Sequence, residues 1–227
     1  MSRSPRPFAL ALLFLAAACG GAQGQVSPAP ATGAVTAQTG DPGEDGMIPA
    51  GYGKLNQDDL TLRLVAGALE IRFVPLDERV IRLLAPDAYR ALRDIRESRR
   101  SGIDSVARQG GSSAPGFALV SFFAARDGQR FEPQDLKLTL LNQEFRAVGT
   151  VPISANFTSQ QLTTRGQASA IFVFEMPIPV TQQFTLGYGM ARTDSWSSRI
   201  TSIEREQDRI ILRIRAERND TTRTTRP

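Results

Sequence analysis

From Leu60 to Tyr188 the chain keeps returning to one pattern, an apolar residue at every second position. That period puts the apolar side chains on one face of an extended backbone, so it commits most of the chain to half-buried strands. Leu60, Leu62 and Leu64 alternate with Thr61 and Arg63, and Leu69, Ile71 and Phe73 with Glu70 and Arg72. Ala66, Gly67 and Ala68 lie between the two runs, which predicts a β-hairpin. A third strand is expected over 79–84. Residues 117–125 are apolar on both faces and predict a central strand; Asp127-Gly128 is a turn signal. Further strands are expected at Leu136, Leu138 and Leu140, over 145–153, over 170–175, and at Phe184, Leu186 and Tyr188. Pro152 lacks a backbone donor, which places its strand at an edge or a bend. Short strands at these spacings predict a mainly β chain, an immunoglobulin-like β-sandwich.

Two segments break the alternation. Pro86 suits the first position of a helix, where its missing N–H costs nothing. Ala88, Tyr89, Leu92 and Ile95 then share one face, and Arg90/Asp94 and Arg93/Glu97 are i,i+4 pairs. This amphipathic helix, an insertion in a sandwich, is expected to end by Gly102, with a second short helical piece over 103–108. Arg96, Arg99 and Arg100 form a basic patch that reads as an exposed helix end. The last apolar run fits two patterns. Ile210, Leu212 and Ile214 suit a strand, whereas Ile200, Ile203, Gln207, Ile210, Ile211 and Ile214 suit a helix over 196–218. The helical match is longer, and residues 219–227 follow as a polar tail. Trp196 and Tyr188 are expected to anchor that helix to the sheet.

What the chain lacks narrows its chemistry. It contains no histidine and one cysteine, Cys19. Ser-His-Asp and Cys-His mechanisms, zinc sites built from Cys and His, and an intrachain disulfide are all excluded. No cofactor or metal site is expected. The fold must rest on its core, and a domain over 52–218 is long enough to bury about 70% of its unfolded surface. The net charge of +4 includes Arg3 and Arg6. Without those two it falls to a value too small to attract nucleic acid.

Arg3 and Arg6 precede the apolar run from Phe8 to Ala18, and the first acidic residue is Asp41. A basic start, a short apolar segment and small residues form the layout of a secretory signal over 1–18. The run is too short for a membrane span, which needs about 20 residues. Leu15, Ala16, Ala17, Ala18 and Cys19 resemble the lipobox of bacterial lipoprotein precursors, with Ala16 standing where that family prefers leucine. The resemblance implies cleavage before Cys19, lipid on its sulfur and usually an acyl group on its nitrogen. Gly20, in place of an aspartate, implies outer-membrane sorting. Ala16 and Ala18 also make an ordinary cleavage site, which would release a soluble periplasmic or secreted protein. From Cys19 to Gly51, Gly, Pro, Ala, Ser, Thr and Gln dominate, and this reads as a disordered linker reaching about 30 Å.

Residues 131–136 (FEPQDL) and 167–175 (QASAIFVFE) resemble secreted immunoglobulin-like domains of unknown function. That supports the sandwich and implies no activity. The candidate acids are Glu70, Asp77, Glu78, Asp127, Glu132, Asp135 and Glu175, and a glycan hydrolase would need two of them facing across a cleft. Each has a simpler role on a wet face, at a turn or at a strand end. The expectation is therefore a lipid-anchored, non-catalytic envelope module that binds another envelope protein or a polysaccharide. The alternative is a carboxylate-based hydrolase of envelope glycans.

Overall fold

The computed structural model describes residues 48–224, with side chains to Asn219. The signal segment 1–18, Cys19 and the linker up to residue 47 lie outside the described residues. Ile48, assigned to the linker by composition, is buried, and its carbonyl accepts from Arg82 at 3.4 Å.

The first hairpin forms as β1 (Leu62–Ala66) and β2 (Leu69–Pro75), with Leu64 opposite Ile71. Gly67 in its turn has φ +61°, a region costly for any residue with a Cβ. Leu60 is buried but closes a short helix, α1 (Gln57–Leu60). Residues 79–84 are not the expected strand. They form α2 (Glu78–Ile81) and the turn after it, because the Asp77 carboxylate caps the Arg79 N–H at 2.9 Å. Val80, Ile81, Leu83 and Leu84 are buried together, a set that a helical turn brings to one side and a period of two does not. Helices α3 (Pro86–Ser98) and α4 (Arg100–Gln109) follow as expected from Pro86 onward.

The remaining strands are β3 (Gly116–Ala124), β4 (Gln129–Arg130), β5 (Leu136–Leu140), β6 (Gln143–Pro152), β7 (Gln161–Leu162), β8 (Gln167–Phe174), β9 (Thr185–Tyr188) and β10 (Ala191–Thr193). Eight of them join in one sheet, ordered β1-β2-β3-β8-β6-β5-β9-β10, while β4 and β7 pair separately. Every pairing between these strands is antiparallel, and a lone parallel bridge joins Leu55 to Leu84. The two outer strands curl toward each other, so that β1 lies beside β9 and β10. The sheet is thus nearly barrel-shaped, and an immunoglobulin-like division into two sheets is not confirmed. Alternation specifies which face is buried; it does not distinguish two stacked sheets from one that curls on itself. The interior is filled from all sides by residues such as Leu62, Phe73, Val120, Phe172, Leu138 and Leu186.

Strand β8 is buried on both faces because helix α4 lies across the outside of β6 and β8. Their approach depends on Gly149, where a Cβ would sit 2.5 Å from Val106 Cγ1. Gly149→Ala is therefore expected to cost about 1–2 kcal/mol through overpacking. Chemical denaturation of the double variant with Val106→Ala should recover most of the loss. Independent, additive effects would show that the helix does not press on that glycine.

The C-terminal run is helical, as α5 (Trp196–Thr224). It continues past Arg218 into the segment read as a tail. Trp196, Ile203 and Ile210 are buried, and the Trp196 indole N–H donates to the Val180 carbonyl at 3.1 Å. No helix among the described residues is long and apolar enough to cross a membrane.

Candidate functional site

Strands β5 and β6 begin as a tight hairpin. Leu141 and Asn142 form its turn, both at positive φ (47° and 66°), the requirement of a two-residue connection of this hand. The ladder between them runs only from Leu140↔Gln143 to Lys137↔Arg146. A β-bulge between Ala147 and Gly149 then bends β6, which runs on along β8 to Pro152, whereas β5 begins only at Leu136 and lies alongside β9 on its other side. The sheet parts at this point.

The parting is plugged by two 3-10 turns, Pro133–Asp135 and Ala155–Ser159, and by the aromatic residues beside them. Phe131 stacks on Phe122 with ring centres 4.4 Å apart, and Phe157 stands edge-on to Phe172 at 6.2 Å. The Tyr188 hydroxyl fastens the plug by accepting from the Glu132 N–H at 2.8 Å. Burial pushes the Tyr188 phenol upward, so it stays neutral. The plug is incomplete. It leaves a cleft of about 320 Å³ lined by Pro133, Gln134, Ala147, Gly149, Thr150, Pro152, Phe157, Thr158 and Gln160. No lining residue is charged, and the polar ones are amides and hydroxyls.

Two other hollows are chemically different. On the outer face of β2, β3 and β8 lies a groove of about 380 Å³ that includes Asp58, Thr61, Arg72, Ser121, Phe123, Gln167 and Ser169. Several of its polar groups are already partnered. Ser121 and Ser169 share a hydrogen bond of 2.7 Å, Gln167 donates to Ser169 at 3.1 Å, and Arg72 lies over Phe123 while paired to Glu70 at 2.7 Å. An apolar hollow of about 230 Å³ lies between Leu138, Phe145, Phe174 and Met176, with Arg79 at its rim. That guanidinium is held by Asp77 at 2.6 Å and by the Ile178 carbonyl at 3.2 Å.

The candidate acids are dispersed among structural roles. Glu70 pairs with Arg72, and Asp77 caps α2 and pairs with Arg79. Glu78 meets Arg82 at 2.8 Å and Arg96 at 3.8 Å, and accepts from the Tyr89 hydroxyl at 3.3 Å. Asp127 accepts from the Thr164 N–H at 3.3 Å, and Glu132 from the Gln134 amide at 3.0 Å. The backbone carbonyls of Asp135 and Glu175 accept from Gly189 N–H and the Ser112 hydroxyl. None of these acids lines any of the three hollows. The basic patch is likewise engaged: Arg96 lies over Phe117, Arg99 donates to the Ile153 carbonyl, and Arg100 pairs with Glu97. Among the described residues no group of His, Cys, Asp or Glu is placed to hold a metal ion.

One charged cluster gave no signal in the sequence. Glu206, on the buried face of α5, accepts two hydrogen bonds from Arg209 at 2.6 and 2.7 Å and one from the Lys54 N–H at 2.7 Å. Arg209 also donates to the Tyr52 carbonyl at 2.7 Å, and the Tyr52 hydroxyl reaches Glu217 at 3.1 Å. The Arg209 hydrogen bond, with help from Lys54, holds the Glu206 carboxyl below the usual range despite its burial. The result is a clasp between the segment leading into α1 and the C-terminal helix.

No family model, curated protein or solved structure was found to match this chain.

Proposed function

We propose that this chain is a non-catalytic binding module of a bacterial envelope, carried on lipid at Cys19, that holds another envelope protein or a polysaccharide in the cleft between β5 and β6. The observation that carries the binding part is the composition of that cleft. It is a concavity of adequate size for part of a ligand, walled by apolar residues with a few amide and hydroxyl groups. A site of that kind orients a neutral polar segment. Hydrolysis of a glycan would instead call for two titratable carboxylates across the hollow, and its walls supply neither.

A photo-crosslinking amino acid at Gln134 or Thr158, both exposed at the cleft, tests the binding reading in cells. A defined adduct is expected from either position and not from Gln207 on α5. Identical adducts from all three positions would count against the cleft.

The anchor is tested separately by metabolic labelling with palmitate. The wild-type chain is expected to take up label and to sediment with membranes, and Cys19→Ala to do neither. An unlabelled wild type overturns the lipid attachment and leaves the cleft untouched.

A further inference from the structure

We infer that the cleft takes an extended, uncharged peptide segment, which adds to the free edge of β6 as a short strand centred on Thr150. The inference rests on the cleft being the binding site and adds the class of its occupant.

The phase of β6 follows from one hydrogen bond. In an antiparallel ladder, residues alternate between pairs that exchange hydrogen bonds and pairs that turn their backbone groups away. Ile153 donates its N–H to the Ser169 carbonyl at 2.9 Å, so it faces β8. In the same register Val151 opposite Ile171, and Gly149 opposite Val173, also face β8. Thr150 opposite Phe172, and Pro152 opposite Ala170, therefore point their backbone groups the other way. On that side β5 has already left, since its ladder stops at Lys137↔Arg146. Both Thr150 and Pro152 line the cleft.

Pro152 independently supports this phase. A proline has no N–H, and within sheets it is confined to places where that donor would meet no neighbouring strand. Thr150 retains its N–H and its C=O, both aimed into the cleft. An edge of this kind is the template to which a partner strand adds. The three residues from Thr150 to Pro152 extend roughly 7 Å at about 3.3 Å per residue, enough for one residue of a partner and its two flanking peptide groups. Pro133, Gln134, Phe157, Thr158 and Gln160 also line the cleft. With no charge among them, a charged side chain entering the cleft would lose its solvation without gaining an ion partner.

The test uses the full chain. In amide exchange by NMR, the Thr150 N–H of the free protein is expected to exchange at least 100-fold faster than that of Val151; equal protection overturns the proposal. Arrays of uncharged octapeptides, of the same peptides with a central Lys or Asp, and of glycans then identify the occupant. Binding confined to uncharged peptides, with Thr150 protected at least tenfold on addition, supports it. N-methylation of the peptide at alternate residues should weaken binding tenfold or more, while methylation of the intervening residues should not. Thr150→Pro, which removes the backbone donor, should weaken binding at least tenfold more than Thr150→Val, which removes only the hydroxyl. If Thr150→Pro fails to fold, the N-methyl scan carries the test. A loss with Thr150→Val as large as that with Thr150→Pro overturns the backbone reading, and a dimer that Thr150→Pro dissolves overturns it in favour of self-pairing. Binding of glycans alone overturns the peptide while leaving the module reading intact. Silence on every array, together with no crosslink at Gln134 or Thr158, ends both.

Discussion

Trp196→Ala is expected to destabilise the chain by about 4 kcal/mol and to lower its melting temperature by about 10 °C. Trp196 is fully buried at the start of α5, and its ring lies 5.2 Å from that of Phe184. Truncation removes most of an indole from a packed interior and leaves a void that neighbours only partly fill. It also strands the Val180 carbonyl, whose partner is the indole N–H. Trp196→Phe separates the two effects. It keeps most of the volume and loses the hydrogen bond, for about 1 kcal/mol. Thermal melts followed by circular dichroism measure both variants. A melting temperature for Trp196→Ala within two or three degrees of wild type, by the same scale of about 2–4 °C per kcal/mol, would mean that α5 is anchored elsewhere.

The next largest effect is expected at Glu206. Removing one partner of a buried, hydrogen-bonded ion pair leaves the other charge poorly solvated. Arg209 keeps a third of its side chain exposed, so water recovers part of that loss. Glu206→Ala is therefore expected to cost about 2–3 kcal/mol in urea denaturation at neutral pH. Folding lowers the Glu206 pKa, so its contribution is complete above the unfolded value of about 4.3 and disappears as pH falls through the folded value. The stability difference between wild type and Glu206→Gln should accordingly shrink as pH is lowered from 7 to 3. A constant difference would assign the clasp to shape and not to charge.

The parts of the fold that were legible in the sequence are those where one local signal had no competitor. The Gly67 hairpin, the helix beginning at Pro86 and the central strand over 116–124 are of this kind, while the helix beginning at Trp196 outweighed a competing strand pattern only by its length. Residues 79–84 differ because a capped helical turn and a short strand bury similar apolar counts, and Asp77 shows itself as a cap only once the helical turn after it is in view. The curl of the sheet was illegible because it depends on which strands pair across distant segments. Pro152 pointed to an edge or a bend without deciding between them, since β6 is an inner strand by order and an edge only beyond its bulge. On α5 the pattern placed Gln207 on the packed face, whereas Glu206 occupies it. A charged residue there contradicts the apolar pattern until its partners Lys54 and Arg209 are in view.

The seam between β1 and the β9–β10 pair has a consequence for how the chain is made. Residues 62–66 must wait for residues 185–193 before that side of the sheet is covered. Contacts between such distant segments form slowly because a long loop must close first. During synthesis the early meander therefore emerges with one flank unfinished, and closure follows only when nearly the whole chain is out. For a protein threaded unfolded through an export channel, as proposed here, that delay keeps it threadable until translocation is almost complete.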